Sequence, residues 1–291
     1  AGDLAVRPPA AESLLVLDLA TGQVERRIAL REGERVQWSG PTAADLDGES
    51  SPEVVIGVPG RVLALDLRTG RTLWEVEALE GVMGLAAWPG ALLFQGYGRG
   101  AHLRRLDGRT GKTLWSFETG GSTYAVPAIG DLDGDAAAEI LVHAHRYDPS
   151  REVLFCLDPG GKERWRFEGR PSADQERNAP AELGWVPDFG YHSPILGDFA
   201  GSRAPEVLHA TRCRTYLLDA RGRTIWDVPL VEGFGVLLEV DAGGKVVPDE
   251  HGTGGDKDAW AAGDLDGDGR LDPVLSMGPE VRVRVDRSSG R

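Results

Sequence analysis

The sequence predicts an all-β protein built from repeated antiparallel sheets. Two repeats interleaved along the chain carry this prediction: a nine-residue acidic loop, and a hairpin that ends in tryptophan. The composition agrees, because 40 glycines and 18 prolines in 291 residues divide the chain into short apolar runs. No long stretch has apolar residues at helical spacing. The length is sufficient for one large domain or two ordinary ones.

The acidic loop is clearest at residues 264–272, where carboxylates occupy positions 1, 3, 5 and 9. Glycines at positions 4 and 6 permit a tight turn, on which alternate side chains converge on one point. The carbonyl group of position 7 can add a further oxygen. Oxygen ligands in this number are typical of Ca²⁺ sites, and without a cation the carboxylates would repel one another. The alternative interpretation is an acidic surface turn that binds no metal.

The complete pattern occurs three times, and we therefore expect about three Ca²⁺ sites. The predicted ligands are Asp45, Asp47, Glu49, Ser51 and Glu53; Asp131, Asp133, Asp135, Ala137 and Glu139; and Asp264, Asp266, Asp268, Arg270 and Asp272. Three bound ions would change the formal charge from −14 to −14 + 6 = −8. A fourth copy at residues 198–206 has Ala200 and Ser202 at positions 3 and 5, so we expect it to keep the turn and bind metal weakly or not at all. Replacing Asp266 with alanine should then remove one calcium contribution, whereas Ser202→Ala should have little effect.

Each acidic loop lies between two short segments of small or apolar residues and is expected to join two strands. The first copy, for example, follows residues 41–44 and precedes residues 54–56. This arrangement resembles the FG-GAP, or VCBS-type, repeat of integrin-α-like β-propellers. The resemblance implies that the loop joins the first two strands of a blade and holds a structural Ca²⁺. It extends this metal assignment to the three complete loops only.

The second repeat is a predicted hairpin whose first strand ends in Leu-Asp or Val-Asp, followed by a turn that contains glycine. Six copies begin at residues 14, 62, 103, 154, 216 and 281. In four of them a tryptophan follows the glycine: Trp74, Trp115, Trp165 and Trp226. The pattern resembles the repeat of quinoprotein-like (PQQ-like) propellers, which implies that these tryptophans pack between blades. The first copy has Arg26 at that position.

Together the repeats predict a β-propeller of four-stranded antiparallel blades, with about six blades and with five or seven as alternatives. The predicted blades span residues 41–77, 84–117 (without a metal loop), 124–168 and 191–228, with partial blades at 1–31 and 259–291. We expect one propeller domain over residues 1–291. Because no fourth strand follows Gly290, we also expect the chain to be a module cut from a longer polypeptide.

Two insertions interrupt the period, at residues 169–190 and 229–258, and the second includes a predicted extra hairpin at 237–247. Insertions of this length are more often functional than ordinary connections. Aromatic residues near the start of the innermost strands are expected to ring one mouth of the channel and to bind a peptide or a sugar. They are Trp38, Tyr124, Tyr191 and Trp260, with His192 beside them. The alternative is that they fill the channel or brace neighbouring blades.

Two further groups of residues leave alternatives open. His143 and His145 alternate along a strand and would face the same side, either as a transition-metal pair or as ordinary histidines without a metal. Cys156 and Cys213 lie 57 positions apart, and two buried thiols are favoured over a single disulfide.

The predicted function is a non-catalytic, calcium-stabilised module that binds a protein or glycan outside the cytoplasm. Weak calcium loops favour that location, although no signal peptide is visible. The acidic charge argues against nucleic acid, and no run of 18 apolar residues could cross a membrane. We predict no catalytic residue. The alternative is a carbohydrate-active lyase or a quinoprotein-type dehydrogenase, although the vicinal cysteines of many such dehydrogenases are missing.

Overall fold

The computed structural model shows an all-β chain. It describes residues 13–37, 39–49, 52–88, 90–97, 101–122, 125–147, 150–169, 193–202, 204–210, 214–229, 238–240, 246–248, 260–277 and 280–283. Every regular element in these ranges is a β-strand. The described part of the chain accordingly has no helix that could span a membrane. The residues form two compact units, one of residues 1–97 and 104–115, and the other of residues 98–103 and 116–291.

The first ten strands lie between residues 13 and 118. They are β1 (Ser13–Leu17), β2 (Val24–Ala29), β3 (Thr42–Ala44), β4 (Glu53–Val58), β5 (Gly60–Asp66), β6 (Thr72–Ala78), β7 (Val82–Trp88), β8 (Ala91–Gly96), β9 (His102–Asp107) and β10 (Thr113–Glu118). Strands β1 and β2 pair with each other, while β3–β6 and β7–β10 each form a four-stranded antiparallel sheet in chain order. In the sheet of β7–β10 only two residues separate β7 from β8, at the place where the β3–β6 and β16–β19 sheets have an acidic loop, which confirms the prediction of a blade without one.

The remaining strands continue the same pattern. They are β11 (Gly121–Ser122), β12 (Ala128–Gly130), β13 (Glu139–Tyr147), β14 (Ser150–Leu157), β15 (Glu163–Glu168), β16 (Ile195–Gly197), β17 (Glu206–Ala210), β18 (Arg214–Leu218), β19 (Thr224–Pro229), β20 (Leu238–Val240), β21 (Val246–Pro248), β22 (Trp260–Gly263), β23 (Asp272–Met277) and β24 (Glu280–Val283). Strands β16–β19 form a four-stranded sheet and β22–β24 a three-stranded one. In the sheet between residues 121 and 168, two short strands, β11 and β12, both pair with β13 in place of a single first strand. The pairing of β20 with β21 confirms the extra hairpin.

Burial explains which apolar runs became inner strands. All six residues of β4 and of β8 are buried, whereas exposed and covered residues alternate along β10 and β15 at the sheet edges. A continuous apolar run therefore marks a strand covered on both faces, and an alternating run marks an outer strand with one face in solvent. This is the four-stranded, blade-like sheet that the sequence predicts.

Two of the four hairpin tryptophans contact the turn of the following sheet, in line with the predicted packing between blades. The indole Nε1 of Trp74 donates a hydrogen bond of 2.7 Å to the carbonyl of Gly108, and Trp165 does the same to Ala220 at 2.9 Å. The turn glycines adopt positive φ angles, and a Cβ on Gly111 would lie 2.7 Å from the Trp74 ring. Glycine is therefore required here both for its backbone conformation and for the space that it leaves.

Candidate metal centres

Three acidic loops each bring three carboxylates together. In every cluster one oxygen of each side chain lies within 4.8 Å of the others, and the members are Asp45, Asp47 and Glu53; Asp131, Asp133 and Glu139; and Asp264, Asp266 and Asp272. These are positions 1, 3 and 9 of the predicted cages. The fifth-position carboxylates of Glu49, Asp135 and Asp268 are not part of these clusters. Ser51 lies outside the described residues, and the seventh-position ligands stay predictions.

Backbone geometry explains why the first carboxylate points into the loop. The fourth residue is glycine in each copy, with φ of 79° to 81° at Gly48, Gly134 and Gly267. Its N–H donates a 2.7 Å hydrogen bond to the first aspartate in all three loops. The left-handed glycine makes the turn, and the hydrogen bond orients the aspartate side chain within it.

The ninth residue of the loop places a carboxylate in the interior. Glu53, Glu139 and Asp272 are 4%, 1% and 4% exposed, and each is the first residue of a strand. One oxygen of each accepts a hydrogen bond from the second residue's N–H, at 2.7 to 3.0 Å. A buried carboxylate is destabilising unless its charge is balanced. Two neighbouring carboxylates add repulsion, so each cluster favours a cation.

The second loop contains a cation supplied by the protein itself. The Arg164 guanidinium forms an ion pair with Asp133 at 2.5 Å and a second, short ion pair with Glu139. The hydrogen bond from Arg164 lowers the pKa of Asp133, and the same hydrogen bond raises the pKa of Arg164. Two of the three clustered carboxylates in this loop are therefore paired with an arginine.

The fourth loop satisfies its buried carboxylate with a hydroxyl group. Glu206 is 4% exposed and accepts hydrogen bonds from the N–H groups of Phe199 and Ala200 at 2.8 and 3.1 Å. Its other oxygen accepts a 2.6 Å hydrogen bond from Ser202 Oγ. The turn is thus retained without the third- and fifth-position carboxylates, as the sequence predicts. Ser202 also has a structural role that sequence reasoning missed.

The residues present fit a hard cation. Carboxylate oxygens in sets of three are ligands that Ca²⁺ accepts, and its remaining coordination positions can be filled by backbone carbonyls and water. The clusters contain no histidine or cysteine, which would favour a transition metal. A bound cation at a site of this kind would stabilise the loop by balancing its negative charge.

The predicted ligand-binding residues are not tested by the structure. Trp38, Tyr124, Tyr191 and His192 lie outside the described residues, and Trp260 is described only as the first residue of β22. Their assignment to a channel mouth stays a prediction.

A buried histidine pair was not foreseen from the sequence. His143 lies beside His209 of the neighbouring sheet, with ring centroids 5.3 Å apart, and its Nε2 lies 3.9 Å from a carboxylate oxygen of Glu152. All three residues are at most 4% exposed. The predicted partner was His145, whose side chain is outside the described part. Sequence spacing identifies partners on one strand, and this pair joins strands β13 and β17, more than sixty residues apart.

Cys156 is a free thiol in the interior, as favoured for this residue. Burial raises the pKa of the Cys156 thiol to about 12, and the negative charge of nearby Glu139 acts in the same direction. Cys213 lies outside the described residues.

Comparison with known proteins supports one of the two family resemblances. Residues 58–132 match a PQQ-type repeat model described as outer membrane protein assembly factor BamB. No curated protein matches the sequence. The structure is similar to that of BamB from Moraxella catarrhalis, with a TM-score of 0.53 and 17% identity, over 91% of this chain and 68% of that one.

Two other solved structures are also similar. BBS1N, from its complex with ARL6DN, gives a TM-score of 0.53 at 10% identity, covering 92% of this chain and 70% of that one. A quinohemoprotein alcohol dehydrogenase from Comamonas testosteroni gives a TM-score of 0.40 at 17% identity, covering 78% and 48%. The likeness to BamB and the four-stranded antiparallel sheets show an all-β fold of the propeller class. The FG-GAP resemblance rests on the acidic loops alone.

Proposed function

We propose that this chain is a non-catalytic scaffold that binds a protein partner outside the cytoplasm and is stabilised by Ca²⁺ in its acidic loops. The observation that carries the scaffold assignment is the BamB-type repeat at residues 58–132, together with the structural likeness to BamB over most of the chain. BamB is described as an assembly factor for outer membrane proteins, and such a factor works through contacts with other proteins.

The charge of the acidic loops supports the proposed calcium binding. Each complete loop concentrates three carboxylates, one of them buried, within 4.8 Å. We assign the Asp45 and Asp264 loops as FG-GAP-type calcium sites on this basis, with the Asp131 loop as a third. Shallow loops of this type fill at calcium concentrations of about 0.1–1 mM, which are found outside the cytoplasm. The proposed location follows from this affinity range.

A protein partner is favoured over a glycan and over an enzymatic role. The BamB likeness points to protein contacts, whereas nothing in the described residues favours a sugar. The dehydrogenase likeness has a TM-score of 0.40 and carries no argument. The acidic clusters are accounted for by the loops, so they give no support to a lyase.

Calcium binding is tested by thermal melts in EDTA and in about 2–5 mM CaCl₂, together with metal analysis of the purified protein. We expect a higher melting temperature in calcium and about three bound ions per chain at saturation. No bound metal and identical melts in the two buffers would contradict the calcium part of the proposal.

Partner binding is tested by cross-linking in the native cell envelope, followed by identification of the cross-linked species. We expect a protein adduct whose yield falls when Trp38, Tyr124 and Tyr191 are replaced by alanine, while the melting temperature is unchanged. The control replaces Leu19 with alanine. Leu19 is a fully exposed apolar residue that belongs neither to the predicted aromatic set nor to an acidic loop. Adducts that contain only carbohydrate would overturn the protein assignment.

A further inference from the structure

The position of Arg164 is set by a β-bulge. In the pairing of β14 with β15, Cys156 lies opposite Trp165 and Leu157 opposite Glu163, so that Arg164 has no partner across the ladder. A bulge turns its extra residue away from the regular alternation of the strand and can aim it at a new target. Here the target is the acidic loop that precedes the same sheet's second strand.

The same bulge recurs in three other hairpins, which provides an internal comparison. The bulged residue is Glu25 between β1 and β2, Leu73 between β5 and β6, and Ile225 between β18 and β19. Among the four hairpins in which this particular bulge is described, only the one after the Asp131 loop has a cationic residue at the bulged position. Leu73 and Ile225 are 36% and 47% exposed, so an aliphatic side chain is tolerated there without being needed for the core.

Arg164 contacts the carboxylates that a metal ion would contact. Its two terminal nitrogens reach Asp133 and Glu139, which are the third- and ninth-position residues of the cluster. Glu139 is 1% exposed, so its charge is balanced inside the protein and not by solvent. An arginine with this two-pronged contact satisfies both charge and hydrogen bonding.

We infer that Arg164 acts as a tethered cation in the Asp131 loop, so that this loop is charge-balanced without calcium and Ca²⁺ enters it only by displacing the guanidinium. The guanidinium of Arg164 then competes with Ca²⁺ for the carboxylates of this loop. The calcium affinity of the Asp131 loop is therefore lower than that of the Asp45 loop, where the residue equivalent to Arg164 is Leu73. The competition rests on the calcium part of the proposed function. The charge balance does not, because it follows from the ion pairs alone.

The test uses Arg164→Leu, which installs the residue found at the equivalent bulge of β6. Arg166→Leu is the matched control, since Arg166 lies two residues further along the same strand and pairs with Glu163, outside the loop. Both variants remove one partly exposed arginine together with its ion pairing. Thermal melts in EDTA measure the charge balance, and calcium titration by calorimetry measures the competition. For the titration, Asp47→Ala and Asp266→Ala are added to both the Arg164→Leu and the Arg166→Leu variants. The cluster of the Asp131 loop is then the one complete cluster left among the three.

In EDTA, Arg164→Leu should melt at a lower temperature than Arg166→Leu, and calcium should restore most of that difference. In the titration, loss of Arg164 should tighten calcium binding at the Asp131 loop by at least about tenfold, which corresponds to about 1.4 kcal/mol. Equal melts of the two variants in EDTA would overturn the tethered-cation role, and an unchanged calcium affinity would overturn the competition. If the parent chain bound no calcium in any loop, the proposed calcium function would fail, while the EDTA comparison would still decide the role of Arg164.

Discussion

The loops at residues 264–272 and 198–206 have the same backbone turn but different chemistry. Both have a glycine with positive φ at position 4, and both bury the ninth-position carboxylate and bond it to the N–H of position 2. In the first of them, Asp264, Asp266 and Asp272 come within 4.8 Å of one another. In the second, Ser202 donates a hydrogen bond to Glu206 and the third position is Ala200.

This difference separates what the turn requires from what a cation requires. The 198–206 loop shows that the turn forms with carboxylates at positions 1 and 9 and a hydroxyl group at position 5, without a carboxylate at position 3. The additional carboxylate of Asp266 accepts a 3.1 Å hydrogen bond from the N–H of Asp268, which also donates to Asp264, and it brings repulsion with it. Ca²⁺ bound as proposed would offset this repulsion.

The largest loss of stability that we expect does not depend on calcium, and it serves as a reference for the calcium-dependent changes in the loops. Gly111→Ala would bring a Cβ to 2.7 Å from the Trp74 ring at a φ of +70°. Backbone strain of about 1–2 kcal/mol and overpacking of about 1–3 kcal/mol should together lower the free energy of unfolding by about 2–5 kcal/mol. Chemical denaturation should give the same loss in EDTA and in calcium.

Gly22→Ala is the control for this change. Gly22 has a φ of +69° in the equivalent turn, and a Cβ added there would have no other atom within 4 Å. It should show the strain alone, about 1–2 kcal/mol. Equal losses at the two glycines would mean that the tryptophan contact does not contribute.

Asp266→Ala should have the next largest effect, and only in calcium. One site filled at 100 times its Kd stabilises the folded state by about 2.7 kcal/mol, and this change should remove most of it. In EDTA the variant should be about as stable as the parent, because the relief of repulsion offsets the lost hydrogen bond from the N–H of Asp268, which still donates to Asp264. Denaturation curves in the two buffers test this, and a similar loss in both would identify Asp266 as a turn residue.

Ser202→Ala should have a smaller effect that does not depend on calcium. The change leaves one oxygen of buried Glu206 without its 2.6 Å hydrogen bond, which should lower the free energy of unfolding by about 1–3 kcal/mol. This replaces the expectation from sequence that the change would be nearly silent. Calcium-dependent loss at Ser202 would show that this loop also binds the ion.

Ala136→Gly should produce the smallest change, and it should be stabilising. Ala136 has a φ of 68° at position 6 of the second loop, and it is the one non-glycine residue with positive φ in the described part of the chain. Relief of about 1–2 kcal/mol of strain is partly offset by about 0.5–1 kcal/mol of added backbone entropy in the unfolded state. Gly269→Ala, at the same position of the last loop, should change stability in the opposite direction.

The fold was largely predictable because its determinants are local. Glycine and aspartate spacing located the hairpin turns, and continuous or alternating apolar runs distinguished inner from outer strands. The packing of Trp74 and Trp165 followed from the repeat in which they occur. The division of one first strand into β11 and β12 was not predicted, since it depends on pairing with β13 and leaves no distinct local pattern.

The chemistry of individual loops was less predictable because it depends on residues from other strands. Arg164 reaches the Asp131 loop from β15, 25 residues beyond Glu139, through a bulge that apolar patterning does not reveal. One signal was present, since arginine precedes tryptophan here and leucine or isoleucine precedes it at Trp74, Trp115 and Trp226. The pairing of His143 with His209 needed the packing of two sheets and had no such signal.

The buried Cys156 thiol can report how often the sheet around it opens. Alkylating reagents attack the thiolate, and a thiol with a pKa of about 12 in the closed sheet remains unmodified at neutral pH. Labelling of the peptide that contains Cys156 therefore proceeds only when β14 separates from its neighbours. Its rate would record how often this sheet opens, at a position beside the Asp131 loop, without any engineered residue.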